Sequence, residues 1–173
     1  MTILSQKRYE KYVADFLVGK LNTIEHRNVV FLRFGVEGKE TDLVYIDDDQ
    51  EIGIEITDNR LRTKNKIKTK KYRQLKEGEY IKDTKVRQSL DDLVTEKKNK
   101  KYINRVKWLL IANRFSALAP SEFQTIFLDG YKTGWNQFAR AFVIFEEIQS
   151  VNINPSRLLP FEINLINNRL KEL

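Results

Sequence analysis

Asp42 and Glu55 are the residues of this chain best placed to do chemistry. They flank the stretch TDLVYIDDDQEIGIEIT: Asp42 precedes the apolar run Leu43, Val44, Tyr45, Ile46, and Glu55 sits among Ile52, Ile54 and Ile56. Thirteen positions separate the two acids, room for two short strands joined by the acidic turn Asp47, Asp48, Asp49, Gln50. A turn that short rules out a crossover, so the strands should be antiparallel and both carboxylates should face one cleft. Two carboxylates on neighbouring strands make half of a site for a hard divalent cation. Such an ion turns water into a nucleophile and stabilises charge on a phosphate.

Positioning this pair requires a sheet and something to cover it. Leu4 to Leu21 has the spacing of an amphipathic helix, with Tyr9, Val13, Phe16, Leu17 and Leu21 on one face, Ser5 as a candidate N-cap and Glu10 among them. Val29 to Phe34 is β-branched and aromatic, a first strand; Leu43 to Asp47 and Glu51 to Thr57 supply the second and third. On the third strand, Glu51, Gly53, Glu55 and Thr57 alternate with the isoleucines, which by itself reads as one buried and one solvated face. Thr84 to Tyr102 reads as a helix with a basic end, KKNKKY, suited to the negative end of the helix dipole. Arg105 to Ala112 is a buried strand, Pro120 to Asn136 holds a helix and a loop, and Phe138 to Glu147 is a fifth strand. Pro160 to Leu173, with Phe161, Leu165, Ile166 and Leu170, reads as a closing amphipathic helix. The expected fold is α/β, a mixed central β-sheet flanked by helices, in one domain over residues 1–173.

At 41% hydrophobic and 32% charged residues, the composition is that of a globular protein with a packed core. No apolar run approaches the length of a membrane span, and the N-terminus lacks the basic-then-apolar order of a signal peptide. The expectation is therefore a cytoplasmic protein with no membrane partner. The absence of cysteine excludes disulfides and thiolate metal sites, so any metal needs oxygen ligands. Of the formal charge of +7, nine positive residues and no acid fall between Arg60 and Lys76, which leaves −2 for everything else. Arg60, Arg62, Lys64, Lys66, Lys68, Lys70, Lys71 and Arg73 thus form a concentrated basic segment, the electrostatic footprint of a surface meeting a polyanion. A solvated lysine-rich loop is the competing reading.

The order of elements over about the first two thirds of the chain resembles the PD-(D/E)XK nuclease superfamily, the restriction-endonuclease-like fold. Thr41-Asp42 stands where that family has Pro-Asp, and Glu55-Ile56-Thr57 stands where it has (Asp/Glu)-X-Lys. Glu10 matches an acid that many members place in the leading helix. The resemblance implies a phosphodiesterase dependent on Mg2+ or Mn2+, with Asp42 and Glu55 as metal ligands and Glu10 as a helper. It also implies a nucleic-acid partner, DNA ahead of RNA, and a homodimer is an arrangement many such nucleases adopt. Thr57 replaces the lysine that positions the attacking water and stabilises the charged phosphate. Either catalysis has been lost, leaving a module that binds nucleic acid or a partner protein, or another lysine supplies the charge. Some lineages carry it on the neighbouring helix, which makes Lys98 the first candidate here, Lys97 the second, and Lys70 a third from the basic segment.

Other chemistries have little support. No phosphate-binding GxxxxGK[ST], no GxGxxG after a strand and no GxSxG elbow occurs. His26, the sole histidine, follows the first helix and reads as an exposed loop residue ahead of a ligand or base. Tyr72, Tyr80 and Tyr102, interleaved with lysines, read as core aromatics at helix ends before stacking platforms for bases.

Overall fold

A computed structural model describes residues 3–58, 83–113, 119–132, 134–147 and 157–173. The basic residues Arg60 to Lys76 lie outside the described residues.

Among the described residues, seven strands form one mixed sheet in sequential order. Helix α1 (Ile3–Glu25) leads into β1 (Val29–Phe34), β2 (Leu43–Asp47) and β3 (Gln50–Asp58), an antiparallel meander. The chain then passes through α2 (Asp83–Asn99) to β4 (Val106–Asn113), and through α3 (Pro120–Ile126) and a 3-10 turn (Leu128–Gly130) to β5 (Arg140–Glu147). Both crossovers return the chain parallel, β3 to β4 and β4 to β5. Strands β6 (Arg157–Ile163) and β7 (Leu170–Glu172) finish the sheet antiparallel. The α/β class with a mixed, helix-flanked sheet is therefore as expected from the sequence.

Helices cover both faces, and the two cores follow from strand alternation. Val13, Leu17 and Leu21 of α1 pack with Ile52, Ile54, Ile56, Trp108 and Phe142 on one face. Val94 of α2 and Phe123 of α3 pack with Leu109, Ile111, Val143 and Phe145 on the other. Because the sheet is covered on both sides, the second face of β3 is not solvated. Gly53, Glu55 and Thr57 are all buried, Glu55 to 1% exposure.

The first helix runs a turn beyond Leu21, and Ser5 lies inside it rather than capping it. Asn22 explains the added turn: its side chain accepts from the Val29 N–H at 2.9 Å and donates to the Val29 carbonyl at 2.8 Å, docking β1 to the helix end. His26, exposed and at φ 52°, takes the left-handed conformation that reverses the chain there.

The C-terminal helix expected over Pro160 to Leu173 is instead a β-hairpin. Leu158, Pro160 and Ile163 are buried in β6, which is zipped along β5 from Ala141↔Ile163 to Glu147↔Arg157. The asparagines between the strands break the helical pattern. Asn164 accepts from the Ile166 and Asn167 N–H groups, and Asn168 adopts φ 56°. Among the described residues no helix is long and apolar enough to cross a membrane.

Candidate active site

Asp42 and Glu55 come together because β2 and β3 pair with Leu43 opposite Ile54, which sets the preceding residue against the following one on the face toward α2. Asp42 is fixed at three points. Its backbone carbonyl accepts from the Gly35 N–H at 3.0 Å, its Oδ2 accepts from the Ile56 N–H at 2.8 Å, and its neighbour Thr41 is fully buried. Thr41 donates its N–H to Asn104 Oδ1 at 2.9 Å and its hydroxyl to the Leu43 carbonyl at 3.0 Å. A proline at position 41 would have no N–H for the first of these bonds, so the threonine is matched to Asn104.

Two glycines make this approach possible. A Cβ on Gly35 would stand 1.7 Å from the Thr41 carbonyl oxygen. One on Gly53 would stand 2.4 Å from Thr41 Oγ1 and 2.8 Å from Asn104 Cγ. The absence of side chains at both positions lets β1, β3 and the segment before β4 close around Thr41 and Asp42.

The cation at this site comes from α2. Lys97 Nζ lies 2.5 Å from Glu55 Oε1, with the lysine side chain 14% exposed, and Lys100 Nζ lies 3.6 Å from the same oxygen. Burial alone would lower the Lys97 pKa, but the charges of Glu55 and Asp42 outweigh it and raise the pKa above the ordinary lysine value. Lys98 is placed elsewhere, with its Nζ 5.6 Å from the centroid of the Tyr131 ring. Of the two helix lysines singled out in the sequence, Lys97 is the one at Glu55. The helix phase carries the reason: Lys97 follows buried Leu93 and Val94 by four and three positions and so shares their inward side.

Burial, then the charge of Glu55, push the Asp42 carboxyl from 3.8 up to about 6, against the opposing pull of Lys97 and the Ile56 N–H. Glu10 contributes to the same rise. It projects from α1 into a cleft of about 500 Å³ lined also by Asp42, Glu55, Lys100, Lys101 and Tyr102, and it accepts a hydrogen bond from Gln6 at 2.9 Å. Glu10, Asp42 and Glu55 therefore face one cleft, with Lys97 behind Glu55.

Tyr102 and Lys100 are the residues at this site that the sequence reading did not assign to it. By sequence Tyr102 reads as a core aromatic, and the one signal for its place here is its position directly after the basic end of α2. Burial and the neighbouring Glu55 and Asp42 carboxylates push its hydroxyl pKa well above the tyrosine range. The hydroxyl is buried against the Glu55 carboxylate.

Among the described residues, no three carboxylate or imidazole side chains group as a metal cage. The oxygen donors facing the cleft fit an ion of the Mg2+ type, which keeps several waters and takes one or two carboxylates plus substrate phosphate. An Asp42 carboxyl raised to about 6 beside a second acid is also a site whose repulsion a divalent cation would relieve. Comparison with protein-family models, curated proteins and solved structures finds no match to this chain.

Proposed function

We propose that this protein is a divalent-metal-dependent nuclease of restriction-endonuclease-like architecture that hydrolyses phosphodiester bonds of nucleic acid. The observation that carries the reading is that Asp42 and Glu55 face one cleft, with Lys97 paired to Glu55 behind it. Two acids and a lysine are what the PD-(D/E)XK resemblance requires, with Lys97 of α2 standing in for the lysine that Thr57 replaces. Asp42 and Glu55 would hold Mg2+ or Mn2+, which when bound activates water and offsets charge on the phosphate.

The remaining chemistry belongs to the chain. Asp42 is held by the Ile56 N–H, so one carboxylate oxygen keeps a fixed direction. Lys97, kept charged by the two acids, is a preorganised cation for the phosphate or the attacking water. Glu10, across the cleft, is placed to orient water. The basic segment Arg60 to Lys76 would grip the polyanion, DNA ahead of RNA, in a cytoplasmic setting. The test is incubation of plasmid, single-stranded DNA and RNA with Mn2+, with and without EDTA. Cleavage that EDTA abolishes supports the reading; intact substrates under every metal refute it.

A second reading has one observation in its favour. Lys97 is paired directly to Glu55, and a neutralised ligand suits a module that has lost catalysis. That module binds nucleic acid in the presence of EDTA and cuts nothing.

A further inference from the structure

We propose that the exposed end of β1 is a stacking platform at the mouth of the cleft, with the Phe34 ring taking the face of an unpaired base and Lys7 the phosphate beside it. The substrate class that follows is single-stranded nucleic acid, and for what the cleft does to that strand the inference rests on the nuclease reading. Phe34 and Tyr12 are the exposed aromatic residues among the described ones. Phe34, 41% exposed, is the one beside the cleft: Lys7, Gly35 and Val36 line the cleft, and the Lys7 ammonium lies 5.9 Å from the Phe34 ring centroid.

The ring is held in place from the core outward. Phe31 meets buried Tyr45 edge to face with centroids 5.6 Å apart, and Phe34 meets Phe31 in the same way at 5.3 Å. This row of rings runs from the core to solvent and ends on Phe34. The backbone beyond it is fixed as well. The Val36 N–H donates to Glu40 Oε2 at 2.9 Å, the Glu40 N–H donates to the Val36 carbonyl at 2.9 Å, and Arg33 grips both carboxylate oxygens of Glu40. Val36, 53% exposed, thereby continues the apolar strip from Phe34 to the cleft.

Charge and edge geometry select the occupant. Lys11, 4.3 Å from the Phe31 centroid, is paired with Asp15, whereas Lys7 has no carboxylate partner among the described residues. A cation beside an exposed ring, continuous with a cleft that Lys100 and Lys101 also line, is matched to a polyanion with bare π-faces. A second copy of the chain is the poorer occupant. β1 is the outer strand of the sheet, and its register shifts between Phe31 and Arg33, an irregularity that turns the edge away from pairing with another strand. In a duplex the base faces are covered by their neighbours, so only an unpaired strand can offer one to Phe34.

The test is fluorescence anisotropy with fluorescein-labelled probes of equal length: a single-stranded oligonucleotide, made as DNA and as RNA, its abasic backbone and its duplex, each in Ca2+ and in EDTA. The wild type should bind the single strand about tenfold or more tighter than the abasic backbone, and tighter than the duplex. Phe34→Leu keeps the apolar bulk and removes the π-face. It should lose about tenfold on the base-bearing strand and nothing on the abasic backbone, while Phe34→Tyr stays near wild type. Lys7→Gln should weaken the abasic and base-bearing strands alike and flatten the salt dependence by about 0.7 in log–log slope. A wild type that binds no probe, or binds the duplex as tightly as the single strand, overturns the proposal. So does a Phe34→Leu variant that keeps full affinity, or one that loses as much on the abasic backbone as on the bases. If the wild type shows the base- and Phe34-dependent binding but cuts nothing in Mn2+, the cleavage reading fails and the platform stands. If it cuts, and Phe34→Leu binds and cuts as the wild type does, the platform fails and the cleavage reading stands.

Discussion

Asp42→Asn should make the folded protein more stable near neutral pH while removing a residue central to the proposed chemistry. Burial and the neighbouring Glu55 carboxylate push the Asp42 carboxyl from 3.8 up to about 6. At about 1.4 kcal/mol per pKa unit, that rise is worth about 3 kcal/mol. Between roughly pH 4 and pH 6 the native state keeps a proton that the unfolded chain has released. The contribution of this group to stability is therefore present below about pH 4, declines as pH rises through 6, and is absent above it. An asparagine carries no charge to bury, and its side-chain oxygen can still accept from the Ile56 N–H. The variant should gain about 1–3 kcal/mol at about pH 7.5 and lose the downward slope that Asp42 imposes. Urea unfolding followed by circular dichroism in EDTA, from about pH 4 to pH 8, measures both. Saturating Mg2+ should narrow the gap by stabilising the wild type. A variant less stable than the wild type at about pH 7.5, or one with the same slope from pH 4 to 6, would refute the reasoning.

Lys97→Ala should slow cleavage by about a hundredfold or more, the scale of one preorganised electrostatic stabiliser, and lower stability by about 3–5 kcal/mol because Glu55 is left buried without its partner. Thr57→Lys in the Lys97→Ala background should return part of the rate if the two positions share one role, whereas Lys98→Ala should leave the rate near wild type; single-turnover rates decide both. Gly53→Ala should destabilise by about 1–3 kcal/mol through its clash with Thr41 and Asn104, read as a lower urea midpoint with an unchanged slope. Neutralising three or four lysines between Lys64 and Lys71 should weaken binding to all sequences and flatten its salt dependence, by roughly 0.7–0.9 in log–log slope per lost phosphate contact.

The strands that carry the site were legible because period-two alternation and the acidic turn fix both their existence and their register. Asp42 and Glu55 fall on one side of the sheet for that reason. The burial of Glu55 was not legible, since a glutamate alternating with isoleucines reads as solvated until a helix is known to cover that face. The choice between Lys97 and Lys98 depends on the angular phase of α2. Leu93 and Val94 held that phase, but no single residue did. The C-terminal segment misled because Phe161, Leu165, Ile166 and Leu170 imitate a helical face. The asparagines that turn the chain between β6 and β7 were the local signal against it, and pairing with β5 decided the outcome. Tyr102 was hidden because its place at the site depends on the burial of one oxygen beside two acids, which spacing does not reveal.

The most direct test of the central claim is a cleavage assay of the wild type against Asp42→Asn, Glu55→Gln and Lys97→Ala, on plasmid and single-stranded substrates in Mn2+, with binding measured in parallel. The account predicts EDTA-sensitive cleavage by the wild type and none by either carboxylate variant. It also predicts that both carboxylate variants bind nucleic acid as tightly as the wild type or tighter, because a charge beside the phosphates has gone. Cleavage that persists in Asp42→Asn and Glu55→Gln, or a wild type that cuts nothing with any divalent metal, would contradict it.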